Sequence, residues 1–270
     1  MSTRLGRFPA EYERPEPLKF AWPIVLVPEL FTTADHLAVL RGYLASLGWE
    51  VYTPDLRAAF DCAPARRGGF EGLAARLEQA LSALGRDVVL VGHGLGGLLA
   101  LKAAELAPVR AAVAIAPMLP GVRSRLVMRA ANWRALWLGR ALAPPRGAAL
   151  FHLMADAEPF QRQALVRALV ADDARAAMDV VRGRVRLEPT PRGVPRLIVT
   201  GDSDPFVPLE HATRLAERIG AATAVVPGRG HWLVGGRGLE RTMAAAQRFL
   251  VRNLGADLLL LYPEEFGSED

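Results

Sequence analysis

The stretch that decides the fold is Asp87-Val88-Val89-Leu90-Val91-Gly92-His93-Gly94-Leu95-Gly96-Gly97-Leu98-Leu99-Ala100. Val88 to Val91 is a short apolar, β-branched run, which reads as a buried strand. It breaks into a glycine-rich turn and then into a run of small and leucine residues that reads as a helix. Gly92 and Gly96 remove side chains where the strand end and the incoming helix nearly touch. The Gly-x-Gly-x-Gly spacing is not the Gly-x-Gly-x-x-Gly of a dinucleotide loop, and it lies too far along the chain for a first βαβ unit.

Outward from this stretch the same alternation repeats. Trp22 to Val27 is an apolar strand, His36 to Leu47 a helix closed by Gly48, and Glu50 to Thr53 a second strand closed by Pro54. Phe70 to Leu84 is a helix closed by Gly85, and Arg110 to Ala116 is the strand after the glycine turn. This βαβαβαβ order predicts an α/β fold with a mostly parallel, doubly wound sheet between helix layers. Met1 to Ala21 lacks periodicity and is expected to wrap the core or fray.

From Pro117 to about Arg192 the alternation stops, and only helical stretches broken by Pro144-Pro145 and Pro159 remain. It resumes with a strand at Arg196 to Thr200, a helix at Leu209 to Ile219, a strand at Ala222 to Val226 and a helix from Gly238 to Asn253. The expected organisation is a core in two parts, 1–117 and 193–253, a helical cap inserted at 118–192, and a C-terminal extension at 254–270. The extension carries Leu258-Leu259-Leu260-Leu261-Tyr262. That run suits an edge strand or a homodimer contact as well as it suits a strap on the protein's own surface.

Two more loops follow strands of the resumed core. Gly201-Asp202-Ser203-Asp204-Pro205-Phe206-Val207-Pro208 precedes a helix, and Pro227-Gly228-Arg229-Gly230-His231-Trp232 follows the last core strand. With the glycine turn they resemble, in order, the nucleophile elbow, acid loop and histidine loop of the α/β-hydrolase family. The resemblance covers about Pro23 to Leu250, and it is closest to capped esterase- and lipase-type members.

The resemblance implies roles. Asp204 takes the place of the triad acid, with Asp202 as its neighbour and competitor, and His231 takes the place of the base, its tautomer fixed by the carboxylate. Gly94 stands where the elbow serine belongs, by natural loss or by replacement. That position is normally strained, by roughly 1–3 kcal/mol for a residue with a Cβ. Glycine enters it freely, so the turn survives without its hydroxyl. The oxyanion hole falls to the backbone N–H groups of Leu95 and Leu30. Many relatives read His-Gly in the early loop, whereas this chain reads Pro28-Glu29. Glu29 facing inward would repel an oxyanion, or would act as acid, base or substrate anchor. Facing outward, it is a solvated loop residue. Of the remaining histidines, His93 is read as packing beside the sheet, and His36, His152 and His211 as surface or helix-end residues.

Composition narrows the function classes. The 270 residues carry a net charge of +5 and have an isoelectric point of about 10.0. Lysine occurs only at Lys19 and Lys102, the arginines are spread along the chain, and no basic tract interleaves with aromatics, so nucleic acid is not an expected partner. No apolar run reaches the roughly eighteen residues of a membrane span. No leader segment is recognised, so the expectation is a cytoplasmic protein. Cys62 is the only cysteine, which excludes an intramolecular disulfide and cysteine metal clusters. Neither a cofactor nor a metal is expected. The segment Pro117–Arg192 holds thirteen arginines against six acids, with Met128, Trp133 and Trp137 as apolar bulk. That lining suits a small substrate bearing a carboxylate, or an acyl group on an acidic carrier.

Loss of the serine of a hydrolytic triad costs roughly 10⁶ in turnover and leaves about 10³–10⁴ over water. The leading expectation is therefore a hydrolase of a small ester, thioester or lactone that uses water activated by the Asp204–His231 dyad. The rivals are a proton-transfer enzyme of lyase, cyclase or cofactor-free oxygenase type, and a catalytically silent ligand-binding protein. Glu29 facing the pocket with a perturbed pKa would favour the proton-transfer class, and a pocket filled by cap side chains or a broken Asp204–His231 contact would favour the silent one.

Overall fold

A computed structural model describes residues 1–57, 68–106, 108–123, 127, 141–189 and 193–259. Cys62, Met128, Trp133, Trp137 and the tail from Leu260 onward lie outside them. An eight-stranded sheet runs in the order β1-β2-β4-β3-β5-β6-β9-β10. β3 (Ile24–Val27), β4 (Val51–Pro54), β5 (Val88–His93), β6 (Val109–Ile115), β9 (Arg196–Gly201) and β10 (Ala222–Val226) are parallel neighbours. β3, β5 and β9 are buried along their whole lengths, because helices cover both faces.

The first twenty-odd residues differ from expectation. β1 (Ser2–Leu5) and β2 (Phe8–Glu13) form an antiparallel hairpin, and β2 pairs antiparallel with β4. Leu5, Phe8 and Ala10 are buried against the core, and these few anchors are what hold a proline- and charge-rich segment on the sheet edge.

α1 (Ala38–Ser46), α2 (Gly69–Leu84), α3 (Leu95–Ala103) and, after the stretch between β6 and β9, α6 (Leu209–Ile219) and α7 (Leu239–Leu254) are the layer helices. Between β6 and β9 lie α4 (Pro159–Arg167), α5 (Ala174–Val181) and two short strands, β7 (Ala141–Leu142) and β8 (Asp172–Asp173), which pair antiparallel. Asp173 caps α5 by accepting the N–H groups of Arg175 and Ala176. At the far end, the N–H of Ala21 donates to the carbonyl of Leu258 at 3.0 Å, and Leu259 bridges to Phe20. The first residues of the extension thus lie on the protein's own surface. No helix among the described residues is long and apolar enough to cross a membrane.

The register of β3 on β5 sets where the loops meet. Val27 pairs with Gly92, so the loops leaving the carboxyl ends of these two strands emerge side by side. The loops after β9 and β10 leave from the same edge. Four loops converge there, as ligand sites do in open parallel sheets.

Candidate active site

Gly94 closes β5 with φ +53° and ψ −114°, a conformation open to glycine and costly for any residue with a Cβ. Its neighbours are equally tight. A Cβ on Gly92 would lie 2.1 Å from the carbonyl oxygen of Gly96, and one on Gly96 the same distance from that of Val27. The turn therefore brings the start of α3 directly against the end of β3. The N–H of Leu95, first residue of α3, points into the space above Gly94.

That space is filled. Glu29, 2 % exposed, turns inward from the loop after β3. Its Oε1 accepts the N–H of Leu30 at 2.5 Å and that of Leu95 at 2.9 Å. Its Oε2 lies 3.0 Å from His231 Nε2. A Cβ on Gly94 would sit 1.1 Å from this Oε2, so the carboxylate occupies the volume a side chain at 94 would need. The positive end of α3 adds to the attraction, since helix N-termini favour anions by roughly 0.3–1 kcal/mol or more when sheltered from water.

His231 is held from both sides. Nδ1 donates to Asp204 Oδ2 at 2.7 Å, and the other oxygen of Asp204 accepts the N–H groups of Phe206 and Val207 at 2.7 and 3.1 Å. The Phe206 ring packs nearly perpendicular to the imidazole, with centroids 5.1 Å apart. Burial alone would strip the ring of its proton, but Asp204 and then Glu29 outweigh it and raise the pKa to about 10. At neutral pH His231 is an imidazolium between two carboxylates, and both its N–H groups are spent. Asp202 takes no part: its Oδ1 accepts the N–H of Gly228 and the hydroxyl of Ser203 in an exposed turn.

His93 lies beneath this row. Its Nε2 is 3.0 Å from the carbonyl of His231, its ring stands 4.9 Å from that of His231, and Nδ1 is buried with no hydrogen-bond partner among the described residues. Burial, followed by the positive charge of His231, lowers its pKa to about 4, so His93 is neutral. It fixes the backbone of the histidine loop. His36, read as a surface or helix-end residue, lies in the short 3₁₀ helix Ala34–Leu37 and is buried, its ring nitrogens bonding the N–H of Thr33 and the carbonyl of Leu165.

One ligand-type atom from each of Glu29, His93 and His231 lies within 4.8 Å of the others. Metal bonds near 2.0–2.2 Å would hold such atoms roughly 3.3 Å apart. Glu29 Oε2 and His231 Nε2 already meet at hydrogen-bond distance, so the arrangement is a proton-sharing contact.

Two further residues shape the site, and sequence spacing gave no sign of them. The loop from Pro28 to Thr32 turns sharply, with Phe31 at φ +69° and the N–H of Thr32 donating to the carbonyl of Glu29 at 3.0 Å. A left-handed phenylalanine costs roughly 1–3 kcal/mol. Asp172 accepts the N–H of Phe31 at 2.8 Å and pairs with Arg57 at 2.6 Å, and Arg57 reaches the carbonyl of Glu29 at 3.2 Å. Hydrogen bonds to charged groups contribute about 1.5–3 kcal/mol each, so these contacts offset the strain.

Above Glu29 and His231 the cavity measures about 10 Å³, with Met118, Leu119, Val122, Val127, Phe206 and Val207 among its walls. That is room for about one water.

Comparison with known proteins agrees with this architecture. Residues 20–245 match the sequence profile described as "Alpha/beta hydrolase family". The enol-lactonase of Burkholderia xenovorans LB400 superposes with a TM-score of 0.67 at 18% identity, covering 93% of this chain and 100% of that one. The structure of E-2-(acetamidomethylene)succinate hydrolase gives 0.67 at 19% identity, covering 93% and 98%. The monoacylglycerol lipase of Paleococcus ferrophilus gives 0.63 at 21% identity, covering 89% and 98%. At these identities the likeness is one of fold. Among proteins of curated function, none matches the sequence.

Proposed function

The chain belongs to the alpha/beta hydrolase family, and within that fold we propose that it is a hydrolase whose reactive group is the Glu29 carboxylate, standing in for the absent serine. The observation that carries this reading is the double seat of one side chain. Oε1 lies between the N–H groups of Leu30 and Leu95, and Oε2 faces His231 where the side chain of residue 94 would project.

The same geometry counts against water attack on a bound ester, thioester or lactone by the Asp204–His231 dyad alone. The substrate's carbonyl oxygen would need two donors that Glu29 already holds, beside a negative charge that repels it. His231, with both N–H groups engaged, has no lone pair for a water proton.

A carboxylate nucleophile uses every part of the arrangement. Oε2 attacks a saturated carbon bearing an anionic leaving group such as a halide. The C–O bond forms as the carbon–halogen bond breaks, and the halide leaves with its electron pair. The product is a neutral glutamyl alkyl ester whose carbonyl oxygen, Oε1, already sits between the two N–H groups. With the anion at Glu29 gone, His231 loses one of the partners holding its proton and releases it to solvent. Nε2 then takes a proton from water as the water oxygen bonds to Cδ. Negative charge collects on Oε1, and collapse breaks the bond from Cδ to the alkyl oxygen. The alcohol leaves with the proton from His231, and the new carboxylic acid reprotonates His231, restoring the ion pair. The net products are alcohol, halide and one proton.

Exposure of His231→Gln protein to 1-iodobutane tests the first half-reaction. The reading requires one butyl group on the peptide containing Glu29, because the ester forms and cannot be hydrolysed. Absence of label there, with label on surface carboxylates only, refutes it. A catalytically silent protein is the second reading, favoured by the cavity of about 10 Å³, which holds a water but no substrate unless the walls move.

A further inference from the structure

We infer that two aspartates from the stretch between β6 and β9 position both halves of the Glu29–His231 contact from outside, Asp172 with its partner Arg57 holding the Glu29 loop and Asp156 holding the histidine loop. The two halves are built alike. On one side, Asp172 Oδ2 accepts the N–H of Phe31, two residues beyond Glu29, and pairs with Arg57, while the N–H of Val170 donates to the carbonyl of Phe31 at 3.0 Å. Both backbone groups of Phe31 are therefore held by residues 170–172. On the other side, Asp156 Oδ2 accepts the N–H of Gly230, next to His231, at 2.6 Å, and Asp156 Oδ1 lies 3.6 Å from Arg229.

Each carboxylate is buried, Asp172 at 2 % and Asp156 at 7 % exposure, and each is paired with an arginine from outside the segment. Neither aspartate touches the imidazole or the Glu29 carboxylate. They act on the backbone that aims them, so Asp172, Arg57 and Asp156 are positioning residues. The consequence is mechanical: the distance between Glu29 Oε2 and His231 Nε2 depends on the hold of residues 156 and 170–172 on the two loops. This positioning role holds whatever reaction Glu29 performs.

The test reads the ion pair without any substrate. Among the described residues the titratable groups facing the His231 ring are Asp204, Glu29 and His93, none of them altered in the variants. Nitrogen-15 NMR of histidine-labelled protein follows the protonation midpoint of His231 in the parent, in Asp172→Asn and in Asp156→Asn. Each variant is expected to lower the midpoint by about one pH unit or more, a tenfold change in proton affinity. Asp87→Asn, which removes an exposed pair with Arg110, is the control and leaves the midpoint where it was. Should Asp172→Asn fail to fold, Arg57→Lys takes its place, keeping the charge while losing the planar fork. Folded variants on both sides with an unmoved midpoint overturn the inference.

Discussion

Glu29 and Gly94 share one volume: a Cβ on Gly94 would fall 1.1 Å from Glu29 Oε2. The missing side chain of the elbow and the inward carboxylate are two sides of a single exchange, and neither can be changed alone without consequence.

Gly94→Ser is accordingly expected to destabilise the protein and to give no esterase, since the serine meets Glu29 and inherits a strained φ. Combining it with Glu29→Gly frees both the volume and the two N–H donors. The pair should recover stability beyond the sum of the single changes, by roughly 1–3 kcal/mol. It should also show burst release of p-nitrophenol from p-nitrophenyl butyrate. Urea unfolding and stopped-flow absorbance measure the two effects.

Glu29→Gln keeps the shape and removes the charge. It leaves His231 with Asp204 alone and turns part of the amide toward N–H donors that want an acceptor. Breaking a buried charge pair from one side costs about 3–5 kcal/mol, and a loss of that order in urea unfolding is expected. An effect under about 1 kcal/mol would mean that the contact with His231 does not form in solution.

The pH dependence has a definite sign. His231 rises from 6.5 to about 10 in the folded protein because Asp204 and Glu29 outweigh the opposing effect of burial. Its proton therefore stabilises the fold fully below pH 6.5, and that contribution disappears as pH climbs through about 10. Urea midpoints of the parent should fall over this window more steeply than those of His231→Gln. Equal slopes would refute a raised His231.

His93 behaves in the opposite way. Its pKa falls to about 4, chiefly through burial, so protonation is costly in the fold. The penalty begins as pH drops below 6.5 and is complete below about 4. His93→Gln, which can still donate to the carbonyl of His231, should move acid unfolding to lower pH, as followed by tryptophan fluorescence.

Much of this was legible before the structure, and the limit has a physical reason. Gly94, Asp204 and His231 each belong to a short motif at the end of a strand, so local pattern sufficed to bring them to one edge. The orientation of Glu29 was not local. It depends on a vacancy at Gly94 and on the parallel register that sets Val27 beside Gly92, which no spacing along the chain encodes. Arg57 and Asp172 are 115 residues apart and look like any turn arginine and helix-start aspartate. The N-terminal hairpin was hidden for another reason: its apolar anchors, Leu5, Phe8 and Ala10, are too few and too mixed with charge to show a strand period.

The most direct test of the reactive carboxylate is a single turnover of the unmodified protein, in excess over 1-iodobutane, in heavy-oxygen water. Peptide mass spectrometry then locates the solvent oxygen. Attack by Glu29 followed by hydrolysis of its ester places the heavy oxygen in Glu29 and leaves the butanol light. Heavy butanol with a light Glu29 would mean that water attacks the substrate directly, and no butanol at all would mean a silent site; either result contradicts a nucleophilic Glu29.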